Sequence, residues 1–245
     1  MSKETSFVKN AEELAKQKMD AINPELSSKF KFLIKFLSQF PEACSKPRSK
    51  KMQNKVGQEE HIEYLARSFH ESRLPRKPTP PTTVPDEVVS IVLNISFNIQ
   101  PENLERIKEE HRFSMAAENI VGDLLERYLA EKLEPSGRSG GRSPYSESYY
   151  AGWIWCSGTS VKAVDFIHYD EKNNEWNLLQ VKNRDNTENS SSSKIRDNTT
   201  IKKWFRTYSQ RDATNWDNFP DEVSSKNLNE EDFRAFVKNY LAKII

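Results

Sequence analysis

Apolar positions recur at helical spacing near the start of the chain. Phe7, Leu14 and Met19 mark one stripe, and Phe30, Leu33, Ile34 and Leu37 mark a second, so two amphipathic helices are predicted within residues 5–40. Pro24 suits the first position of the second helix, and Pro41 stops it. Residues 45–58 are basic and polar and read as a loop, after which His61–Ser72 returns to a short helical pattern. Residues 74–85 carry five prolines, the composition of an extended or semi-rigid connector. Asp86–Asn98 is apolar and open between helix and strand, with helix preferred and Asp86 near its start. Pro101 opens a charged helix to about His111. A clearer one spans Ser114–Leu133, with Ser114 as N-cap and Ala117, Val121, Leu124, Tyr128 and Leu129 on its core face.

Beyond Pro135 and a Gly/Arg-rich loop the period changes. Trp153–Cys156, Ser160–His168 and Glu175–Lys182 read as strands. Asn183–Thr200 is polar without apolar periodicity, Ile201–Tyr208 is mixed, and Glu230–Ile245 is an amphipathic helix. A helical first half and a mixed second half predict an α/β (α+β) fold around a central mixed sheet flanked by helices. The expected division is a helical N-terminal region with its proline-rich connector, 1–85, and a core, 86–245. Trp153, Trp155, Trp176 and Trp204 are expected to pack in the core or on the sheet rather than to stack on bases.

The composition narrows the class. With 245 residues, 36% of them hydrophobic and 30% charged, the chain can bury a proper core. The net charge is only +1, so nucleic-acid binding would need a local basic surface. Two distant cysteines, Cys44 and Cys156, exclude a disulfide framework and suit a reduced cytosol. No apolar run approaches membrane-spanning length and the N-terminus lacks the apolar stretch of a signal peptide, so a cytoplasmic protein is expected. Neither the histidines nor the cysteines have zinc-ligand spacing.

The chemistry concentrates in Val161–Arg184. Asp165 stands within an apolar run, Ala163, Val164, Phe166 and Ile167, where a charge is costly unless paired or bound to a metal. Gln180 and Lys182 share one face at the end of the next strand, with Val181 on the other. A short polar turn, Tyr169–Glu175, would bring Asp165 beside them. A carboxylate, an amide and an ammonium converging at a sheet edge can hold a hard divalent cation and orient a water, as phosphodiester cleavage requires. The backbone carbonyl of Val181 is a further oxygen donor, and Lys182 would stand near the attacking water. Glu118 lies four residues before Gly122 on one helix face; the glycine would let the helix approach the sheet and aim Glu118 at its edge. Taken singly, Asp165, Gln180 and Lys182 read more readily as solvated strand-end side chains, and Glu118 reads equally well as a solvated helix residue.

Together they carry a resemblance. Val164-Asp165-Phe166 followed by Gln180-Val181-Lys182, with the preceding helix segment Glu118–Gly122, resembles the PD-(D/E)XK nuclease superfamily. Val164 replaces its proline and Gln180 its second acid, leaving Asp165 and Glu118 as the metal carboxylates that the resemblance implies. The strings AENIVGDLLERYLAEKLEP, GWIWCSG, VKAVDFI, LQVKNRDNTENSSSSKIRDNTTIKKWFRT and TNWDNFPDE resemble the SinI-type Type II restriction endonucleases over residues 114–220. That resemblance implies an Mg²⁺-dependent endonuclease, in a restriction–modification system with a cognate DNA methyltransferase. It also implies cleavage of double-stranded DNA at GG(A/T)CC and a product with a 5′-phosphate and a 3′-hydroxyl.

The residues after Lys182 suit that substrate. Asn183, Arg184, Asn186, Asn189, Lys194, Arg196, Lys202, Lys203 and Arg206 fill a segment, 183–206, that starts at the catalytic lysine. Arginine pairs bidentately with guanine, asparagine with adenine, and lysine with phosphate. The same stretch also reads as a plain polar loop. Arg138 and Arg142 in the loop Ser136–Ser143 form a second candidate contact. A two-fold target is met economically by a homodimer. The competing readings are a structure-specific repair or junction nuclease on the same scaffold and a non-catalytic DNA-binding protein.

Overall fold

The computed structural model of the chain describes residues 6–79, 86–134, 152–158, 160–185, 201–221 and 226–244. Among these, seven helices and a four-stranded mixed sheet form an α/β fold with a helical N-terminal part.

Helix α1 (Ala11–Asp20) carries Glu12 and Glu13 in its first turn and Lys18 in its last, which suits the helix dipole. Pro24 opens a 3₁₀ turn, Pro24–Leu26, whose first free N–H, that of Glu25, is capped by the Asn23 side chain at 3.0 Å. That turn leads into α2 (Ser27–Gln39), which buries Phe30, Phe32, Leu33, Ile34, Phe36 and Leu37. The basic stretch after it holds one short helical turn, α3 (Lys50–Gln53), before α4 (Glu59–Arg73). The ambiguous apolar run is helical: α5 spans Glu87–Phe97, with the Asp86 carboxylate accepting from Val88 N–H at 3.0 Å.

The two helices expected from 101 to 133 are one. Helix α6 runs unbroken from Pro101 to Leu133, so Ser114 is an interior residue and not a cap. No proline or glycine separates His111 from Ser114, and Arg106–Glu110 and Arg112–Glu109 pairs hold this part of the surface. Gly122 is also not a point of close approach, since a Cβ there would meet nothing within 4 Å. The buried part of α6 starts only at Leu124.

The sheet has the order β1-β2-β3-β4, from β1 (Ile154–Trp155), β2 (Phe166–Asp170), β3 (Glu175–Arg184) and β4 (Ile201–Thr207). The first three strands are antiparallel and β4 joins β3 in parallel. Strand β2 is shorter than its apolar run. Ala163 has φ +54°, which breaks extended structure, and Val161 makes only an isolated bridge to Cys44. Asp165 therefore precedes β2 rather than ending a strand.

The sheet separates two cores. On one face, Phe30, Phe36 and Phe69 of the N-terminal helices pack with Ile154, Val164 and Ile167. On the other, Leu125, Tyr128 and Leu129 of α6 pack with Phe166, Leu179, Val181 and Trp204, and with Phe233 of α7 (Glu230–Ile244). The tryptophans are structural, as expected. Trp153, Trp155 and Trp204 are buried, and Trp176 packs against Phe32 and Phe36.

Candidate active site

The site grows from the junction of β1, β2 and β3. Trp155 pairs with Phe166 across β1 and β2, and Phe166 pairs with Leu179 of β3. Just before Phe166 the chain stays fastened on both sides. Asp165 N–H donates to Leu179 O at 2.9 Å, and Asp165 O accepts from Cys156 N–H at 2.8 Å. Its carboxylate then accepts from Val181 N–H at 2.7 Å. The side chain thus caps the stretch where β3 runs on past the start of β2. The N–H and C=O of one strand residue point the same way. The Val181 carbonyl therefore faces the Asp165 side and not β4.

Gln180 and Lys182 follow on β3, opposite Lys203 and Phe205 of β4. Gln180 is buried and Lys182 half-buried. Strand alternation sets both on one face of β3, on either side of Val181, whose N–H donates to the Asp165 carboxylate.

The second acid is different. Glu118 is exposed, lies 3.8 Å from Arg184 and stands on the part of α6 outside the core. Two turns later, about 12 Å along the helix axis, Glu126 stands within electrostatic reach of Asp165 and Lys182. Trp155 Nε1 donates to Glu126 Oε2 at 2.9 Å and so aims it from the strand next to Asp165. Burial, reinforced by the neighbouring Asp165 charge, pushes the Glu126 carboxyl up to about 8. Burial likewise raises Asp165, to about 6, against the pull of the Val181 N–H and the Lys182 charge. Two acids that resist ionising together beside a lysine are typical of a catalytic centre.

Glu126 escaped the sequence reading because it lies off the apolar stripe of its helix. Its one signal was position: Glu126 and Arg127 interrupt Leu124, Leu125, Tyr128 and Leu129, where the helix is buried on more than one side.

A polar knot holds these elements in place. Glu134, next after α6, accepts from Arg73 Nη1 and Nη2 at 2.9 and 2.7 Å, from Lys29 at 2.6 Å and from Trp155 N–H at 2.9 Å. Arg73 also donates to Trp155 O at 2.8 Å and lies over the Phe69 ring at 4.2 Å. Although burial opposes it, the two cations keep the Glu134 carboxyl below its usual range. One buried acid thereby joins α2, α4, α6 and β1.

The expected DNA contacts divide. Arg138, Arg142, Asn186, Asn189, Lys194 and Arg196 lie outside the described residues. Lys202 and Lys203 are exposed on β4. Asn183 and Arg206 are engaged with each other, Nε and Nη2 of the arginine donating to Asn183 Oδ1 at 3.0 and 2.9 Å. Arg206 also binds both oxygens of Glu230, at 2.7 and 2.8 Å. Arg184 opens onto a groove of about 870 Å³ at the end of β3, which Arg211, Arg234 and Lys238 also line.

The SinI restriction endonuclease family matches residues 11–243. The chain belongs to the SinI restriction endonuclease family. Two relatives cover it from end to end. The chain is 93% identical over 245 residues to the Type II restriction enzyme Eco47I of Escherichia coli, and covers 100% of that protein. It is 75% identical over 244 residues to the Type II restriction enzyme SinI of Salmonella infantis, again with 100% of both chains covered. The SinI family match spans both cores and every residue of the site.

Proposed function

We propose that the chain is a Type II restriction endonuclease that cuts double-stranded DNA at GG(A/T)CC by Mg²⁺-assisted hydrolysis. In this reading it works as a homodimer beside a cognate DNA methyltransferase. The observation that carries the reading is the meeting of Asp165, Glu126 and Lys182 at the edge where β3 outruns β2, in a chain of the SinI restriction endonuclease family.

The donor set suits a hard cation. Among the described residues no group of three or more His, Cys, Asp or Glu could hold a metal ion. The ligands here would instead be two carboxylates, Asp165 and Glu126, completed by the Gln180 amide oxygen and the Val181 carbonyl. Oxygen donors without imidazole or thiolate select Mg²⁺-like ions over zinc. Bound there, the cation supplies Lewis-acid polarisation of the scissile phosphate. Lys182 holds the attacking water and offsets the charge that develops on the phosphoryl oxygens. Trp155 keeps Glu126 in its rotamer, and Val181 N–H keeps Asp165 in its own. Arg184 and the basic groove beyond it lie on the path by which a duplex would leave the site, where phosphate contacts set register.

Digestion of a plasmid of known sequence tests this reading. Discrete fragments ending within GG(A/T)CC, formed only with a divalent cation, are expected. Cleavage at branched structures alone, or binding without cleavage, would overturn it.

A further inference from the structure

The two helices that project from the core, α5 and the first part of α6, present an apolar surface that no described residue covers. Helix α5 has no buried residue. Val88, Val89, Ile91, Val92, Ile95 and Phe97, with Phe113 and Met115 of α6, are 45–75% exposed. Eight large apolar side chains exposed on two adjoining helices are of the kind that marks an interaction site. They approach the roughly 800 Å² that each partner contributes to a standard interface. A helix of eleven residues is also too short to persist alone in water. A groove of about 830 Å³, lined by Val89, Leu93, Ile107, Met115 and Leu241 among others, continues this surface toward α7.

We propose that this hairpin is the dimer interface, and that its occupant is the same hairpin of a second copy. The proposal rests on the endonuclease reading for its stoichiometry: each chain holds one set of Asp165, Glu126 and Lys182, and cutting two strands at one short site takes two sets. Charge excludes DNA as the occupant. Residues 86–115 hold six acids, Asp86, Glu87, Glu102, Glu105, Glu109 and Glu110, against the three cations Arg106, Lys108 and Arg112. A phosphate backbone is repelled there, while an apolar, self-complementary face is what an isologous contact needs. The hairpin is also rigidly tied to the chemistry. Met115 and Glu126 lie on the same helix, about 17 Å apart along its axis. Docking two hairpins therefore sets the spacing of two active sites.

The test is sedimentation of the full chain without DNA, beside Ile91→Glu/Ile95→Glu and Tyr64→Glu. Tyr64 is a comparably exposed side chain on α4, away from the hairpin. The wild type and Tyr64→Glu are expected to be dimers. The double variant is expected to be a monomer with unchanged circular dichroism. A second readout does not depend on tolerance of charge. Cys44 and Cys156 are buried, so a flexible bismaleimide should join only Ile95→Cys chains, as covalent dimers. A wild-type monomer, a dimeric double variant or absence of that cross-link overturns the proposal. If the substitutions dissociate a dimer that cuts no DNA, the interface stands and the endonuclease reading falls. If wild type cuts both strands and the monomeric double variant only nicks supercoiled plasmid, both stand.

Discussion

Asp165 and Val181 are joined by a 2.7 Å hydrogen bond from the valine N–H to the aspartate carboxylate. That bond replaces a ladder contact at the point where β2 has not yet begun. It holds a half-buried acid against the strand segment that carries Gln180 and Lys182. One carboxylate oxygen is thereby fixed.

Removing charge at the centre should stop chemistry before it harms the fold. Asp165→Asn, Glu126→Gln and Lys182→Ala are each expected to lower cleavage by at least about 100-fold, the scale of losing one group that acts on the transition state. Binding of the target in Ca²⁺ should change far less, measured by gel shift beside single-turnover cleavage. Full cleavage by Glu126→Gln would return the role of second acid to Glu118.

The raised acids give a pH dependence of definite sign. The folded Glu126 carboxyl sits near 8, against 4.5 for an ordinary glutamate. Between those values the folded chain keeps a proton that the unfolded chain releases. Metal-free stability should therefore fall as pH rises through that window. A divalent cation binds only the ionised acids, so the rise in Tm caused by Mg²⁺ should grow from pH 6 to pH 8.5. Calorimetry with and without Mg²⁺ tests this, and Glu126→Gln should flatten the metal-free trend. A Mg²⁺ shift in Tm that is constant across the range would count against these ligands.

Gln180 distinguishes an oxygen donor from a packing residue. Gln180→Glu keeps an oxygen in place and should retain cleavage with tighter Mg²⁺ dependence, whereas the apolar Gln180→Leu, which carries no oxygen, should lose most activity. Mg²⁺ titrations of cleavage rate separate the two. Equal rates for wild type and Gln180→Leu would make the position structural.

Glu134 tests the scaffold. It is buried and satisfies Arg73, Lys29 and the Trp155 N–H. Glu134→Ala should cost about 3–5 kcal/mol, because it leaves a buried guanidinium without its partner. Urea denaturation measures the loss. A change below about 1 kcal/mol, the level of an exposed pair, would show that the knot does not hold the fold.

Arg184 and Arg206 should behave differently although both were predicted to touch DNA. Arg206 is tied to Asn183 and Glu230, so Arg206→Ala should lower Tm. Arg184 is more exposed, and Arg184→Ala should leave Tm nearly unchanged. If Arg184 reads a guanine, its loss relaxes selection at one base pair, about 1–3 kcal/mol. If it contacts phosphate, binding to all sequences weakens and the salt dependence flattens. Binding to site variants at two salt concentrations separates these.

Local pattern was enough for much of this molecule. Helical spacing located α1, α2 and α4, and strand alternation set Gln180 and Lys182 on one face, because both depend on periods of a few residues. It misplaced Ser114, Gly122 and Asp165. Ser114 resembled a cap, yet the helix continues through it. Gly122 resembled a packing point, yet it meets no neighbour. Ala163, at positive φ, delays β2 until after Asp165.

Glu126 is the sharpest case. On its own helix it lies off the apolar stripe, and only the approach of Trp155 and Asp165, 29 and 39 residues further along the chain, buries it and raises its pKa. Burial depends on what packs against a residue from elsewhere in the chain. The sequence alone thus placed a carboxylate, a glutamine and a lysine close together along two neighbouring segments, while the sheet edge and the helix crossing it decided which glutamate lies within reach of Asp165.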